Sequence, residues 1–327
     1  MARYSAGTVA AAALILLLAL APVIASLAEQ PFYVTLLSRM MIFALAAVGL
    51  NLILGYGGMV SFGHALYIGV GAYAVGILNF YGIDNGYAHI AAALVCGTVI
   101  ATLVGAVCLR ASGIGFIMIT LAFAQMFYFL AISFKQLGGD DGYGLTSRSD
   151  FKLFDLSNNT VFYYVIFFVL LLVLLAFSRL VEAPFGVALR GCKENERRMR
   201  AMGFATWRIK LTAYVLSALV CVLAGVLLAN LTRFVSPSYM NWTTSGDILL
   251  MIVLGGLGTL IGPVFGAVAW LALEEVLSSF DFGLPGNADA FIRDHWAIVL
   301  GALVIAVALY LKDGLYGYLG GGRKAAS

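Results

Sequence analysis

The chain has 327 residues, 62% of them hydrophobic and only 11% charged, with a net charge of +3. Soluble domains carry about 25% charged residues, so composition excludes a soluble globular protein. The total charge is uninformative; only its distribution along the chain carries meaning.

Many apolar runs near 20 residues suit membrane helices rather than a closed barrel. The expected fold class is an all-α polytopic membrane protein, one transmembrane domain over residues 1–327. Thr8–Leu27 is the first run and is expected as a retained span. Ala19 and Ala21 also resemble a signal-peptide cleavage site, which leaves cleavage as the alternative. Leu36–Leu54 is the second span and ends at the glycine-rich Gly55–Gly58. Ser61–Tyr81, rich in small residues, is the third; Ala88–Leu109 and Gly113–Ser133 follow, with Arg110 between them. The polar loop Lys135–Asn159 contains LGGDDGYGL (Leu137–Leu145), and Val161–Ser178 is the sixth span.

Next comes the cytosolic loop 179–210, with eight basic and three acidic residues between two apolar runs. Its basic excess places it on the cytoplasmic side, and that alone explains an ordinary topology signal. The pattern says more. Pro184 can start a helix and Gly203 can stop it. Ala188, Cys192, Asn195, Met199 and Met202 recur at helical steps and make one soft face, while Glu194–Arg198 and Glu196–Arg200 form i,i+4 pairs. The spacing predicts a short cytosolic helix on which something docks.

Leu211–Leu231 is the seventh span. Ile248–Leu277 is too long for one ordinary span and is interrupted at Gly255–Gly258 and at Gly262 and Pro263. An acidic loop (Asp281, Asp289, Asp294), a last span Trp296–Leu311 and a basic tail follow. If loop and tail are both inside, Ile248–Leu277 enters and returns on one side, as two short helices or a re-entrant hairpin. The count is then about ten membrane segments with both termini cytoplasmic, and with Asp84 and LGGDDGYGL outside. Leu54, Gly55 and Gly58 also match Leu254, Gly255 and Gly258 at a constant offset, a hint of duplicated halves.

No phosphate-binding loop occurs, since no lysine follows a glycine, and no hydrolase or zinc motif is present. His64, His89 and His295 are scattered, so no metal site is expected. Polar residues inside spans are costly and therefore functional candidates: Asn51, Ser61, His64, Thr120, Gln125 and Thr259. For each, a helix–helix hydrogen bond is the plainer reading. Ser61 and His64 stand out because they follow a glycine-rich break that can expose backbone groups to a small solute. A self-contained carrier or channel using that region is the alternative, although few acids lie at mid-depth to serve ion coupling.

Gly113–Gln125, the stretch GYGGMVSFGHA (Gly55–Ala65), the loop GGDDGYGL and the turn LGGLGTLIGP together resemble the LivM-type permease of branched-chain amino acid ABC importers. KENERRMRAMG (Lys193–Gly203) looks like that family's ATPase-coupling region. The resemblance covers nearly the whole chain. It implies a LivH-like second permease, two ATP-binding subunits carrying ATP and Mg, a periplasmic solute-binding protein, and a multi-pass place in the bacterial inner (plasma) membrane. It implies no cofactor on this chain, surrounding membrane lipid and no nucleic acid. Coupling would then rest on Arg190, Cys192, Glu196, Arg197, Met199, Met202 and Gly203, with the sulfur-bearing side chains seated in an apolar groove. Relatives handling urea, amides or aromatic acids leave the solute open. The general importer pattern EAA-x-x-x-G is not kept here, because Arg197 and Arg198 follow Glu196.

Overall fold

The computed structural model describes residues 6–27, 31–152, 156–279, 296–310 and 314–318. The acidic loop, the basic tail, Arg3 and His295 lie outside the described residues. Helices dominate: α1 (Ala6–Leu27), α2 (Pro31–Asn51), α3 (His64–Phe80), α4 (Gly86–Cys108), α5 (Ile114–Ser133), α6 (Asn159–Glu182), α7 (Pro184–Ala201), α8 (Thr206–Thr232), α9 (Trp242–Gly255), α10 (Gly262–Ser279) and α11 (Trp296–Tyr310). Five helical stretches are long and apolar enough to cross a membrane: Phe32–Tyr56, Gly86–Cys108, Ile114–Ser133, Asn159–Glu182 and Thr206–Thr232. Shorter apolar stretches accompany them (Val9–Val23, His64–Phe80, Trp242–Gly255 and Trp296–Val307), and the chain is an all-α membrane protein.

α2 and α8 form the centre. α8 packs on α2, α3 and α4, and α2 also meets α6, α9 and α10. Leu45, Ala46, Ala47 and Leu50 of α2 are fully buried, as are Tyr214, Ala218 and Cys221 of α8. The α3–α8 crossing depends on missing side chains: a Cβ on Gly71 would strike the Val222 carbonyl, and one on Gly225 the Ile68 carbonyl. In hydrocarbon, where apolar burial drives little, such close backbone approach is how helices associate. On the other side of the bundle Val95, Val99 and Leu103 of α4, Met118 and Phe129 of α5, and Phe168 and Leu172 of α6 stay exposed. That apolar surface suits lipid tails.

The loops sort to two ends. At one, Asp150 N–H donates to the Asp84 carbonyl (2.7 Å) and Leu145 N–H to the Arg233 carbonyl (2.9 Å). A two-residue ladder there pairs Tyr143 with Val235 and Gly144 with Phe234, and an isolated parallel bridge joins Asn85 to Asp150. At the other end lie α7, the Arg110 turn and both glycine-rich turns. The segment expected over Ile248–Leu277 is two antiparallel helices. It begins earlier, at Trp242, with Asn241 capping Thr243 N–H at 3.3 Å. Thr243, Thr244 and Asp247 dilute the hydropathy of that first turn and hide it in the sequence. Gly266 and Gly262 let α10 lie directly on α9, facing the Met251 carbonyl and Gly255.

Candidate functional site

α7 begins at Pro184, whose fixed φ suits the first helical position. It ends in a Schellman arrangement: Gly203, at φ +86°, donates to the Arg200 carbonyl (3.0 Å) and Phe204 N–H to the Met199 carbonyl (3.1 Å). Both limits agree with the sequence expectation. The helix is not continuous, however. Asn195 has φ −153° and ψ 93°, and its side chain accepts from Arg198 N–H at 2.9 Å, so it caps a second short helix. An asparagine inside a helix competes for backbone hydrogen bonds, and here it wins.

Part of the soft stripe turns inward, which corrects the expected direction for Cys192 and Met199, while Asn195 and Met202 stay exposed. Cys192 and Met199 are buried with Ala188 against Ile209 of α8, and Met199 Sδ lies over Gly191. They fasten α7 to its own chain and are not free to seat in another. Arg190, Arg197, Met202, Gly203, Phe204 and Trp207 remain exposed. Phe204 and Trp207 escaped the sequence reading because they follow the helix stop. Arg190 Nη2 donates to the Val181 carbonyl at 3.2 Å and closes the end of α6.

Glu196 is the electrostatic centre of this element. It accepts from Arg200 Nη2 and Lys210 Nζ, and from Thr206 Oγ1 at 3.2 Å. Partial burial alone would raise its carboxyl, but the bonds from Lys210 and Arg200 outweigh that and hold it at about 2. The expected Glu196–Arg200 pair is therefore present, whereas no Glu194–Arg198 pair forms among the described residues. Beside it opens a cleft of 470 Å³ whose charged lining is Arg110, Lys193, Arg200 and Lys210 against Glu196 alone.

Lys193 reaches from α7 to the bundle, where Nζ donates to the Gly55 carbonyl at 2.8 Å. Gly55 closes the π-helical turn Leu52–Tyr56 that ends α2. One turn away, Asn51 Nδ2 donates to the Thr259 carbonyl (2.7 Å) and Asn51 Oδ1 accepts from Gly258 N–H (3.2 Å). The two glycine-rich turns that echo each other in sequence are thus in contact. Asn51 and Thr259, expected as separate candidates, form one joint.

Ser61 and His64 sit in a second buried network. Ser217 Oγ donates to the Gly49 carbonyl (2.6 Å), so it accepts from His64 Nε2 (3.0 Å), and His64 Nδ1 accepts from Ser61 Oγ (2.9 Å). This order calls for a neutral imidazole protonated at Nε2. Tyr67 donates to Tyr214 at 3.0 Å, and both rings meet His64 edge-on. Thr120 of α5 closes the break, accepting from Phe62 N–H at 3.2 Å. Gln125 is not part of it; its Nε2 is buried without a partner among the described residues. Ser61, His64 and Thr120 are fully buried, and none borders the cleft. Expected to line an open route, they hold α2, α3, α5 and α8 together in this arrangement.

A family model described as "Branched-chain amino acid transport system / permease component" matches residues 32–308. The chain is 27% identical over 300 residues to the high-affinity branched-chain amino acid transport system permease protein LivM of Salmonella typhimurium, covering 84% of this chain and 68% of the relative. It is 23% identical over 316 residues to a probable branched-chain amino acid transport permease protein LivM of Methanocaldococcus jannaschii, covering 84% and 90%. The permease protein LivH of Escherichia coli is 26% identical over 292 residues, covering 84% and 91%. No solved structure matches the chain.

Proposed function

The chain belongs to the branched-chain amino acid transport permease family, and on that premise we propose that it is the membrane subunit of an ATP-driven importer for branched-chain or related small amino acids. A LivH-like second permease stands beside it, two ATP-binding subunits with ATP and Mg sit on its cytoplasmic face, and a periplasmic binding protein delivers solute. The chain hydrolyses no ATP itself. It makes about ten passes of the bacterial inner membrane as a single domain, with both termini and α7 cytoplasmic.

The observation that supports this reading best is the build of α7. It is a charged helix locked to α8 through Glu196 and Lys210 and to the end of α2 through Lys193. A passive loop has no need of such fixing, whereas a lever does. The exposed Arg190, Arg197, Met202 and Phe204 meet the ATP-binding subunit; Cys192, Glu196, Met199 and Gly203 stiffen the lever from within. The joints at Asn51–Thr259 and Ser61–His64–Thr120 are where helices part when the route opens.

The test is ATP hydrolysis by the assembled complex in nanodiscs. Binding protein loaded with leucine should stimulate hydrolysis, and the Gly203→Val variant should lose that stimulation. Hydrolysis indifferent to loaded binding protein would sink the reading.

A further inference from the structure

Three charged side chains lie together at membrane depth, away from α7 and from the buried joints. Arg39 lies on α2, Asp247 on α9 and Glu274 on α10. At 1.5 Å per residue, Arg39 is about 12 Å from the start of α2, Asp247 about 7 Å from the start of α9, and Glu274 about 7 Å from the end of α10. Exposed Phe32 and Tyr33 at the first of these ends, and Trp242 at the second, mark an interfacial aromatic level. The charges lie deeper than that level.

They are poorly satisfied. Arg39 Nη2 stands 3.7 Å from Glu274 Oε1, with the two side chains 46% and 26% exposed. Asp247 interacts electrostatically with both. The side chains of Arg39, Asp247 and Glu274 make no hydrogen bond to any described residue, in contrast to the fully ligated Glu196, and Arg39 otherwise meets only the Phe43 ring, 5.8 Å from its guanidinium carbon. Exposed charge inside a bilayer is expensive and marks a water-filled path or a solute site.

We propose that Arg39, Asp247 and Glu274 form a solute subsite that takes the head group of a zwitterionic α-amino acid. Arg39 receives the carboxylate, for which a guanidinium offers paired donors, and the carboxylates of Asp247 and Glu274 receive the ammonium. Two acids facing one base leave one negative charge in excess, which favours an ammonium on the acidic side of the cluster. The arrangement reads the part common to all α-amino acids and leaves side-chain choice to other groups. This rests on the importer reading above and names its substrate class.

The experiment is uptake of radiolabelled leucine, isoleucine, glutamine and urea by proteoliposomes holding the complete importer with its binding protein. Wild type is compared with Arg39→Gln, Asp247→Asn, Glu274→Gln and the exchanged pair Arg39→Glu with Glu274→Arg. Amino acid uptake should fall about tenfold or more in each single variant, as expected for lost hydrogen bonds to charged groups, while co-purification of all subunits is unchanged. The exchanged pair should stay inactive, because the solute's own charges are not exchanged. Restored uptake there would make the pair a structural strut and overturn the site, as would undiminished uptake in the single variants. If wild type accumulates glutamine but no branched-chain amino acid, the site stands and the substrate reading falls. If it accumulates urea alone, the site falls.

Discussion

Lys193 Nζ donates to the Gly55 carbonyl at 2.8 Å, joining the helix outside the apolar bundle to the turn that ends its central helix. Its stem also covers Gly58, where an added Cβ would lie 2.8 Å from Lys193 Cγ. On the proposed function, movement imposed on α7 reaches α2 through this contact. Lys193→Met keeps the stem and removes the donor. A hydrogen bond from a charged group is worth about 1.5–3 kcal/mol. Uptake by the reconstituted complex should drop while ATP hydrolysis continues; coupled uptake at the wild-type rate would show that the contact transmits nothing.

Glu196 gives a pH signature. Its carboxyl is held at about 2, against an ordinary 4.5. A depressed acid stabilises the fold fully above its unfolded value, and the contribution fades as pH falls towards the folded value. The Glu196→Gln variant should therefore melt below wild type at pH 7, by about 1 kcal/mol or less for partly exposed pairs. Melting curves between pH 7 and pH 3 should show that gap closing. A gap that widens on acidification would contradict the assigned ion pairs.

Met199 and Met202 separate fold from docking. Met199 is buried and Met202 exposed. Met199→Asp places an unpaired carboxylate against Ile209 and should cost about 3–5 kcal/mol, visible as early melting of the isolated chain. Met202→Asp should leave melting unchanged and weaken co-purification with the ATP-binding subunits. Reversal of the two effects would mean that the stripe faces outward after all.

Asn51 joins the two echoing turns through both ends of its amide. Replacing it by leucine strands a partly buried carbonyl and a partly buried N–H, at up to about 1–3 kcal/mol each. Gly55→Ala attacks the same joint sterically, because its Cβ would come within 2.6 Å of Gly258 N. Both variants should lower the melting temperature, and the double variant by less than the sum, since they break one contact. Additive losses would place them in separate structures.

Much of the fold was legible because hydropathy and glycine placement act locally. The Pro184 start and Gly203 stop of α7 follow from backbone preference alone, and so does the break after Gly255. The pairing of the two glycine-rich turns was foreshadowed by their shared residues, though only the structure shows them touching. The rest needed partners that lie far away in sequence. A sulfur-bearing stripe announces a buried face without saying what buries it, and Ile209 is outside the helix that carries it. Ser61 and His64 read alike whether they greet a solute or bond to Ser217, more than a hundred and fifty residues away. Arg39 was passed over because one cation does not interrupt an apolar run, and its meaning appears only beside Asp247 and Glu274.

On the proposed function, this chain admits amino acids at the expense of ATP hydrolysed by other subunits. Proteoliposomes containing the chain, its partner permease and the ATP-binding subunits, with binding protein and leucine on the outer-facing side, test it directly. Accumulation of labelled leucine should require ATP at the α7 face and should vanish with ADP or without binding protein. Accumulation that proceeds without ATP, or that follows an imposed proton or sodium gradient, would contradict it and make the chain a self-contained carrier.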